Sequence, residues 1–361
     1  MNSGTTKEEM AKRIGALIGR FQGYHYHHHE HVRKAALEND ILVVIIGSAN
    51  ARRSIKNPFT AEERIAMIEA NVKADPELNS ARIVYRMAFD HPDDKVWASR
   101  VQFLVQDFCA SGTRGNEITL YGSDKDDSTF YLNLFPMWKK ALAPATGEFN
   151  ATKFRSVWFD QSQTIDLLNT LEDVPTPTAY WLEDNWSFNE DLQLEWNAVQ
   201  KEKERFAGYP FPECLNFCCG DAVIFCHDHV LMGVRKNAPG RNCLALPGGH
   251  KNSNETFYDC SVREADEETN ILKSISYSQL ARCEIGRKVF DNPKRSLGVA
   301  PRLTQAVYFD VSRLYPDGSF PATIAGDDLK ETMWVHRSEI EFHRNIYDDH
   351  SAIIITAPTL C

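Results

Sequence analysis

Three carboxylates, Glu264, Glu267 and Glu268, stand at i, i+3 and i+4 in the run Arg263-Glu264-Ala265-Asp266-Glu267-Glu268-Thr269-Asn270-Ile271. On a helix all three share one face. Carboxylates packed together repel one another, and a divalent cation removes the repulsion. Oxygen donors of this kind suit hard ions, Mg²⁺ first and Mn²⁺ as its substitute. Arg263, four residues before Glu267, can hold the cluster in place. Just upstream, Leu246-Pro247-Gly248-Gly249 supplies a loop in which backbone can approach a metal. The other reading of an acidic run is a solvated helix face, and charge alone does not separate the two.

A second group of chemistry-bearing residues lies near the start of the chain. Gly19-Arg20-Phe21-Gln22-Gly23 follows a short aliphatic run and leads into His25-Tyr26-His27-His28. A strand–turn–helix start binds phosphate, because free backbone N–H groups and the helix dipole meet there. Histidines beside such a turn can donate hydrogen bonds to a triphosphate. The five histidines His25, His27, His28, His29 and His31 also read as a metal-binding tract or as surface residues.

The elements that must position these groups follow from the apolar pattern. Ile14–Ile18 reads as a buried strand, about His28 to Leu37 as a helix, and Ile41–Ile46 as a central parallel strand. Thr60-Ala61-Glu62-Glu63 opens a helix with a capping-box pattern. Further strands are predicted at Arg82–Tyr85 and Ile118–Tyr121, which makes a βαβ series and hence a doubly wound, Rossmann-like parallel sheet. Asp173-Val174-Pro175-Thr176-Pro177-Thr178 reads as a proline-punctuated linker, about Asn189 to Phe206 as a connecting helix, and Pro210-Phe211-Pro212 as its end. Beyond Asn216 the pattern is mixed α/β, with a hairpin of Asp221–Cys226 and Val230–Arg235 around His227-Asp228-His229. The expected domains are 1–180, a linker helix at 181–210, and 211–361.

The chain has 361 residues, enough for two domains, and its 43% hydrophobic and 25% charged content is that of an ordinary soluble protein. A formal net charge of −10 argues against a broad nucleic-acid-binding face. No apolar run is long enough to span a bilayer, and the first residues lack a signal-peptide core. Nine scattered cysteines without a CxxC read as reduced thiols in a cytoplasmic protein. Homo-oligomer formation is left open.

The C-terminal run resembles the Nudix box: Gly249, five residues, Glu255, seven residues, then Arg263, Glu264, Glu267, Glu268 and Ile271, without a gap. Ala265 is a small aliphatic at its position, and Asn270 replaces a glycine, a mild change because Asn tolerates left-handed backbone. The resemblance implies that the Gly248 carbonyl, Glu264, Glu267 and Glu268 hold metal and that Glu255 and Arg263 support the helix. It places Arg263 and the three glutamates in the catalytic set, with Gly249 and Glu255 at the substrate. Phe290-Asp291-Asn292-Pro293-Lys294-Arg295-Ser296 and Ala325-Gly326-Asp327-Asp328 resemble segments of Nudix domains fused to nucleotide adenylyltransferases. Asp327, Asp328 and Glu331 are candidates for a loop base, or belong to a polar surface loop.

The N-terminal turn resembles the GRFQPxHxGH motif of archaeal-type nicotinamide mononucleotide (NMN) adenylyltransferases, with Gly23 in place of proline and His27 in place of glycine. Gly47-Ser48-Ala49-Asn50 and Ser54-Ile55-Lys56-Asn57-Pro58-Phe59-Thr60 resemble that family's second loop, with Lys56 where arginine is common. Gly122-Ser123-Asp124-Lys125-Asp126 resembles its post-strand segment, and Asn150-Ala151-Thr152-Lys153-Phe154-Arg155 its SxTxxR motif with Asn150 for serine. The resemblance implies that His25, His28, Lys56 and Arg155 act on the triphosphate. It also implies that Gly19, Arg20, Phe21, Gln22, Lys125 and Thr152 contact substrate. Trp97 would stack on the pyridine ring while Asp90 reads its amide. The chain is thus similar to bifunctional NMN adenylyltransferase/Nudix hydrolases. The implied partners are ATP, NMN, NAD and ADP-ribose, with no nucleic acid and no membrane. A Nudix hydrolase of another nucleotide (NADH or a dinucleoside polyphosphate), with the N-terminal domain as a non-catalytic nucleotide sensor, is the other reading.

Overall fold

The structure is a computed structural model that describes residues 13–109, 117–124, 127–144, 151–159, 173–185, 190–211, 215–292, 295, 300–326 and 328–358. The chain divides into two compact units, one of Met1–Ala49 with Pro58–Ser187 and one of Asn50–Asn57 with Phe188–Cys361.

In the first unit, β1 (Ile14–Gly19), β2 (Ile41–Ile46), β3 (Ile83–Met87), β4 (Ile118–Asp124) and β5 (Lys139–Pro144) form one sheet in the order β3-β2-β1-β4-β5. Every adjacent pair is parallel. All six residues of β2, Ile-Leu-Val-Val-Ile-Ile, are buried, as a strand covered on both faces requires. Burial of each such side chain contributes about 1.5–3 kcal/mol. Helices α1 (Tyr26–Glu38), α2 (Ala61–Ala74) and α3 (Asp94–Gln106) make the crossovers. The capping box expected at α2 is formed: the Thr60 hydroxyl accepts from the Glu63 N–H while the Glu63 carboxylate accepts from the Thr60 N–H. The strand order reverses between β1 and β4, so the crevice at their carboxyl ends is where a parallel α/β sheet takes its ligand. α4 (Ala151–Phe159) follows, then α5 (Thr176–Asp184). α5 lies partly where a linker was expected. Pro175 caps it and Pro177 falls in its first turn, where a missing N–H costs nothing.

In the second unit, helix α6 (Glu190–Phe206) precedes a mixed sheet of order β10-β11-β6-β7-β12, from β6 (Phe217–Cys226), β7 (His229–Arg235), β10 (Glu284–Phe290), β11 (Arg302–Asp310) and β12 (Leu329–His336). β6 and β11 run parallel at its centre, and the expected β6–β7 hairpin turns through His227 at φ 54°. Two short strands, β8 (Leu244–Ala245) and β9 (Gly248–His250), add to β7 and β6. Helix α7 (Phe257–Thr269) carries the acidic run. It buries Cys260, Ser261, Val262 and Ala265 toward the sheet, which turns Arg263, Glu264 and Glu267 outward. No described helix is long and apolar enough to cross a membrane.

Candidate active sites

The acidic face of α7 is organised by Arg263. Its Nε and Nη2 donate to the two oxygens of Glu255 at 2.9 and 2.8 Å, and Nη2 also reaches the His250 carbonyl at 3.1 Å. Its Nη1 donates to Glu264 and Glu267, both at 2.8 Å. The hydrogen bonds from Arg263 and then from the Asn252 N–H hold the Glu255 carboxyl down at about 2. Glu255 is therefore a fixed anion that aims the arginine. The three carboxylates of the helix differ in environment. Glu267 is 59% exposed and Glu264 14%, while Glu268 is buried and accepts from the Gly248 N–H at 3.1 Å. Burial raises Glu264 and pushes Glu268 up to about 8.

A buried carboxyl beside two further carboxylates on the same helix is the arrangement that a dication compensates. The donor set of Glu264, Glu267, Glu268 and backbone oxygen is entirely hard oxygen, which fits Mg²⁺ or Mn²⁺. The glycines fit as well. A Cβ at Gly249 would stand 2.4 Å from Glu264 Oε1, and one at Gly248 would stand 2.1 Å from Asp221 Oδ1. Among the described residues no three His, Cys, Asp or Glu side chains already converge as a metal cage. Glu264 and Glu267 are instead turned onto Arg263.

Asn270 ends α7 at φ 52°, ψ 30°, the left-handed conformation for which glycine or asparagine is suited. The segment 322–326 is stitched to that end. The Ile324 N–H donates to the Thr269 carbonyl at 2.9 Å, and the Gly326 N–H donates to the Glu268 carbonyl at 2.8 Å. Of the loop-base candidates, Asp328 accepts from Asn237 Nδ2 at 3.1 Å, Glu331 is exposed on β12, and Asp327 lies outside the described residues.

Behind the Gly248 loop lies a buried polar set that sequence reasoning missed. Asp221, in an otherwise apolar strand, accepts from Thr304 Oγ1 at 2.8 Å, and burial pushes it up to about 6. His350 Nδ1 accepts the Leu246 N–H at 2.9 Å, and burial drives that imidazole down to about 3. A charged residue at the head of the apolar run Ala222–Cys226 was the one available signal.

In the first unit, the turn after β1 has Phe21 at φ 50° and Gly23 at φ 97°. A Cβ at Gly23 would stand 2.5 Å from the Phe154 ring, and one at Gly19 would stand 2.7 Å from the Phe21 ring. His25 is the buried N-cap residue of α1, and the His28 ring stacks on it at 3.9 Å. The Gln22 amide both donates to and accepts from the Phe59 backbone, at 3.0 and 3.1 Å, so it ties the turn to the start of α2. Arg155 donates to the Gln22 carbonyl at 3.3 Å and to Thr152 Oγ1 at 3.2 Å. Burial and then the Arg20 cation bring Arg155 down to about 10. Arg20, Asp90 and Thr152 are exposed. Trp97 is half-buried on α3, edge-on to Tyr131 and Phe135 at 6.1 and 5.9 Å. Lys56 is half-buried on the segment Asn50–Asn57, which packs with the second unit. There Glu195 accepts from the Ile55 N–H at 3.1 Å and pairs with Arg52 at 2.8 Å. Lys125 and Asn150 lie outside the described residues.

Arg64 was also missed. It is 1% exposed, and its guanidinium reaches the carbonyls of Arg20 at 2.7 Å, Gly47 at 2.8 Å, Ser48 at 3.3 Å and Thr60 at 3.1 Å. With the Gly47 N–H donating to the Gly19 carbonyl at 2.9 Å, it locks the loops after β1 and β2 together. Burial lowers its pKa to about 10, and the charge of Asp90 works against that fall.

Known proteins share both halves of this arrangement. The Cytidylyltransferase-like family profile matches residues 16–105, and the NUDIX domain profile matches residues 220–354. The chain is 34% identical over 166 residues to a nicotinamide/nicotinic acid mononucleotide adenylyltransferase of Acinetobacter baylyi. That match covers 44% of this chain and 85% of the relative. A bifunctional NMN adenylyltransferase/ADP ribose pyrophosphatase of Francisella tularensis superposes with a TM-score of 0.81 at 29% identity, over 95% of this chain and 98% of that one. A structure of that protein complexed with AMP and Mn ion superposes with a TM-score of 0.80 at 28% identity and the same coverage. A parallel nucleotidyltransferase sheet followed by a Nudix sheet, matched along nearly the whole chain, places this protein in the family of bifunctional NMN adenylyltransferase/Nudix hydrolases.

Proposed function

We propose that the first unit makes NAD from NMN and ATP and that the second hydrolyses ADP-ribose to AMP and ribose 5-phosphate with Mg²⁺. In the first reaction an oxygen of the NMN phosphate attacks the α-phosphorus of ATP, the Pα–O bond to the β-phosphate breaks, and pyrophosphate leaves. No protein nucleophile is needed, so positioning and charge carry the rate. His25, stacked by His28, and Arg155 line the turn that would take the triphosphate. Lys125, Thr152 and the turn residues Gly19, Arg20, Phe21 and Gln22 complete the proposed set, with Trp97 and Asp90 at the nicotinamide end.

For the second reaction the supporting observation is the acidic face of α7: Glu264 and Glu267 on Arg263, and Glu268 against the Gly248 N–H. Glu264, Glu267, Glu268 and the Gly248 carbonyl would hold the cation. When bound, it would polarise the pyrophosphate and activate water. Arg263, aimed by Glu255, gives the carboxylates a defined place before the cation arrives. Gly249, having no Cβ, lets the Glu264 carboxylate pack directly against the loop that would face the diphosphate. ADP-ribose as substrate is favoured by a nucleotidyltransferase domain of the NMN adenylyltransferase type on the same chain and by the likeness to the Francisella tularensis NMN adenylyltransferase/ADP ribose pyrophosphatase.

A reciprocal pair of variants tests both activities on one protein. His28→Ala is expected to lower NAD formation strongly and leave ADP-ribose hydrolysis intact. Glu267→Gln is expected to abolish hydrolysis and leave NAD synthesis intact. Absence of NAD formation by the wild type would remove the first assignment, and full hydrolysis by Glu267→Gln the second. His27, in the place of the family's glycine, favours the sensor reading for the first unit; binding of NMN and ATP without turnover would decide for it.

A further inference from the structure

The histidine tract holds more imidazoles than a triphosphate site uses. His27 and His31 sit one turn apart on α1, on the side facing the end of β4. Their Nε2 atoms are 3.2 Å apart, and each lies 2.7 Å from Ser123 Oγ. Two ring nitrogens that both make good hydrogen-bond geometry to one oxygen have their in-plane bonding directions aimed at one point, and the tautomer with hydrogen on Nδ1 gives each a lone pair there. Two nitrogens bound to a metal at about 2.0–2.1 Å would be about 3.4 Å apart in a tetrahedral site and about 3.0 Å apart at an octahedral edge. The observed separation falls between these. The far nitrogen of His27 faces the Glu30 carboxylate at 3.7 Å. That contact is an ion-pair distance to an exposed carboxylate, longer than the hydrogen bond by which metal-binding imidazoles are commonly oriented, so the convergence on Ser123 carries the geometry.

We propose that His27 and His31 form a two-imidazole binding site for a transition-metal dication of the zinc, cobalt or nickel class, separate from the oxygen-donor face of α7. Imidazole nitrogens select such ions over Mg²⁺, which prefers carboxylate, phosphate and water oxygen. The Ser123 hydroxyl now lies in the notch between the rings, and rotation about its χ1 vacates it. No third His, Cys, Asp or Glu closes a cage among the described residues. Water, or an oxygen of a phosphate lying in the β1–α1 turn, fills the remaining positions. The site draws on His27, the residue that stands where the family has glycine. It does not depend on the first unit being catalytic.

The test uses the full chain, stripped of metal by a chelator, without nucleotide and in excess Mg²⁺ to fill the oxygen-donor face. Co²⁺ is titrated while visible d–d absorption is followed, and Zn²⁺ is titrated by calorimetry. The wild type is expected to bind one ion. Loss of an outer support of a metal ligand weakens binding about 10–100-fold, so loss of a ligand in His27→Gly or His31→Asn is expected to weaken it at least tenfold. Ser123→Ala keeps both rings and widens the notch, so it is expected to bind as tightly as the wild type or more so. This variant also serves if His31→Asn does not fold. Unchanged Co²⁺ affinity in both histidine variants would overturn the proposal, as would loss of binding in a folded Ser123→Ala.

Discussion

Replacing Arg64 by methionine removes the clamp on the two loops of the first unit while keeping a long, flexible side chain in the space. The carbonyls of Gly47 and Ser48 are buried and that of Arg20 is partly so. Orphaning a buried carbonyl costs about 1–3 kcal/mol, and a partly hydrated one less, so the three together cost about 3–6 kcal/mol. Against this stands relief from burying a guanidinium whose pKa is already pulled down to about 10. At 1.36 kcal/mol per pK unit, the depression from the ordinary value near 12.5 is worth about 3 kcal/mol. That relief is only partly realised, because the carbonyl dipoles that solvated the charge remain. The net expectation is a loss of about 2–4 kcal/mol in the first unit, read as a fall in its unfolding midpoint. Function should suffer more. The loops after β1 and β2 lose their common anchor, and misplacement by about 1 Å costs on the order of 100-fold in rate. The assay is steady-state NAD formation against ATP and NMN, with ADP-ribose hydrolysis as internal control. Arg64→Met is expected to lower kcat/KM for ATP about 100-fold, with hydrolysis unchanged and Arg64→Lys in between. A variant with wild-type midpoint and kcat/KM within twofold of wild type would refute the clamp.

Other consequences are equally direct. Gly23→Pro, which restores the family's residue, should destabilise by at least about 2 kcal/mol, because proline is locked near φ −65° and this position is at +97°; thermal melting checks it, and a wild-type melt would show that the turn is misread. Asn270→Gly should be close to neutral in urea unfolding, while Asn270→Val should cost about 1–2 kcal/mol or more from its left-handed backbone; equal effects of the two would contradict the assigned conformation. His350 gives a pH dependence. Its folded pKa, about 3, lies below its unfolded value near 6.5, so its contribution is complete above pH 6.5 and is lost as pH falls toward 3. Between pH 6.5 and 4.5 this amounts to about 2 kcal/mol. His350→Asn, whose carbonyl oxygen can take over the Leu246 N–H, should flatten that part of the urea-stability profile; identical slopes in variant and wild type would exclude His350 as the titrating group.

Features governed by local pattern were legible in the residues alone. The strand at Ile41–Ile46 has the expected bounds because six consecutive aliphatic side chains can be satisfied only by burial on both faces. The Thr60–Glu63 capping box and the left-handed Asn270 formed because each is decided within one turn of backbone. The spacing of Glu264, Glu267 and Glu268 identified one helix face, and its helix formed with Glu267 at the exposed edge of that face and Glu268 at its buried edge. The prolines at 175 and 177 misled, because proline breaks a helix interior but is tolerated in a first turn, and a composition count does not distinguish the two.

Tertiary structure decided what each charge does. Nothing near Arg64 in the sequence separates it from a solvated arginine on an amphipathic helix; it is buried because the loops after β1 and β2 bring three carbonyls to one place. Adjacent glutamates became unlike acids, Glu267 in solvent and Glu268 beneath the Gly248 loop, because the sheet lies under only one side of α7. His27 and His31 are one turn apart by sequence, but their convergence on Ser123 exists only because β4 pairs beside β1, some ninety residues later in the chain. Local pattern thus determined which elements form and which residues could do chemistry. Burial and long-range pairing determined which of those groups are charged, which are held, and which meet.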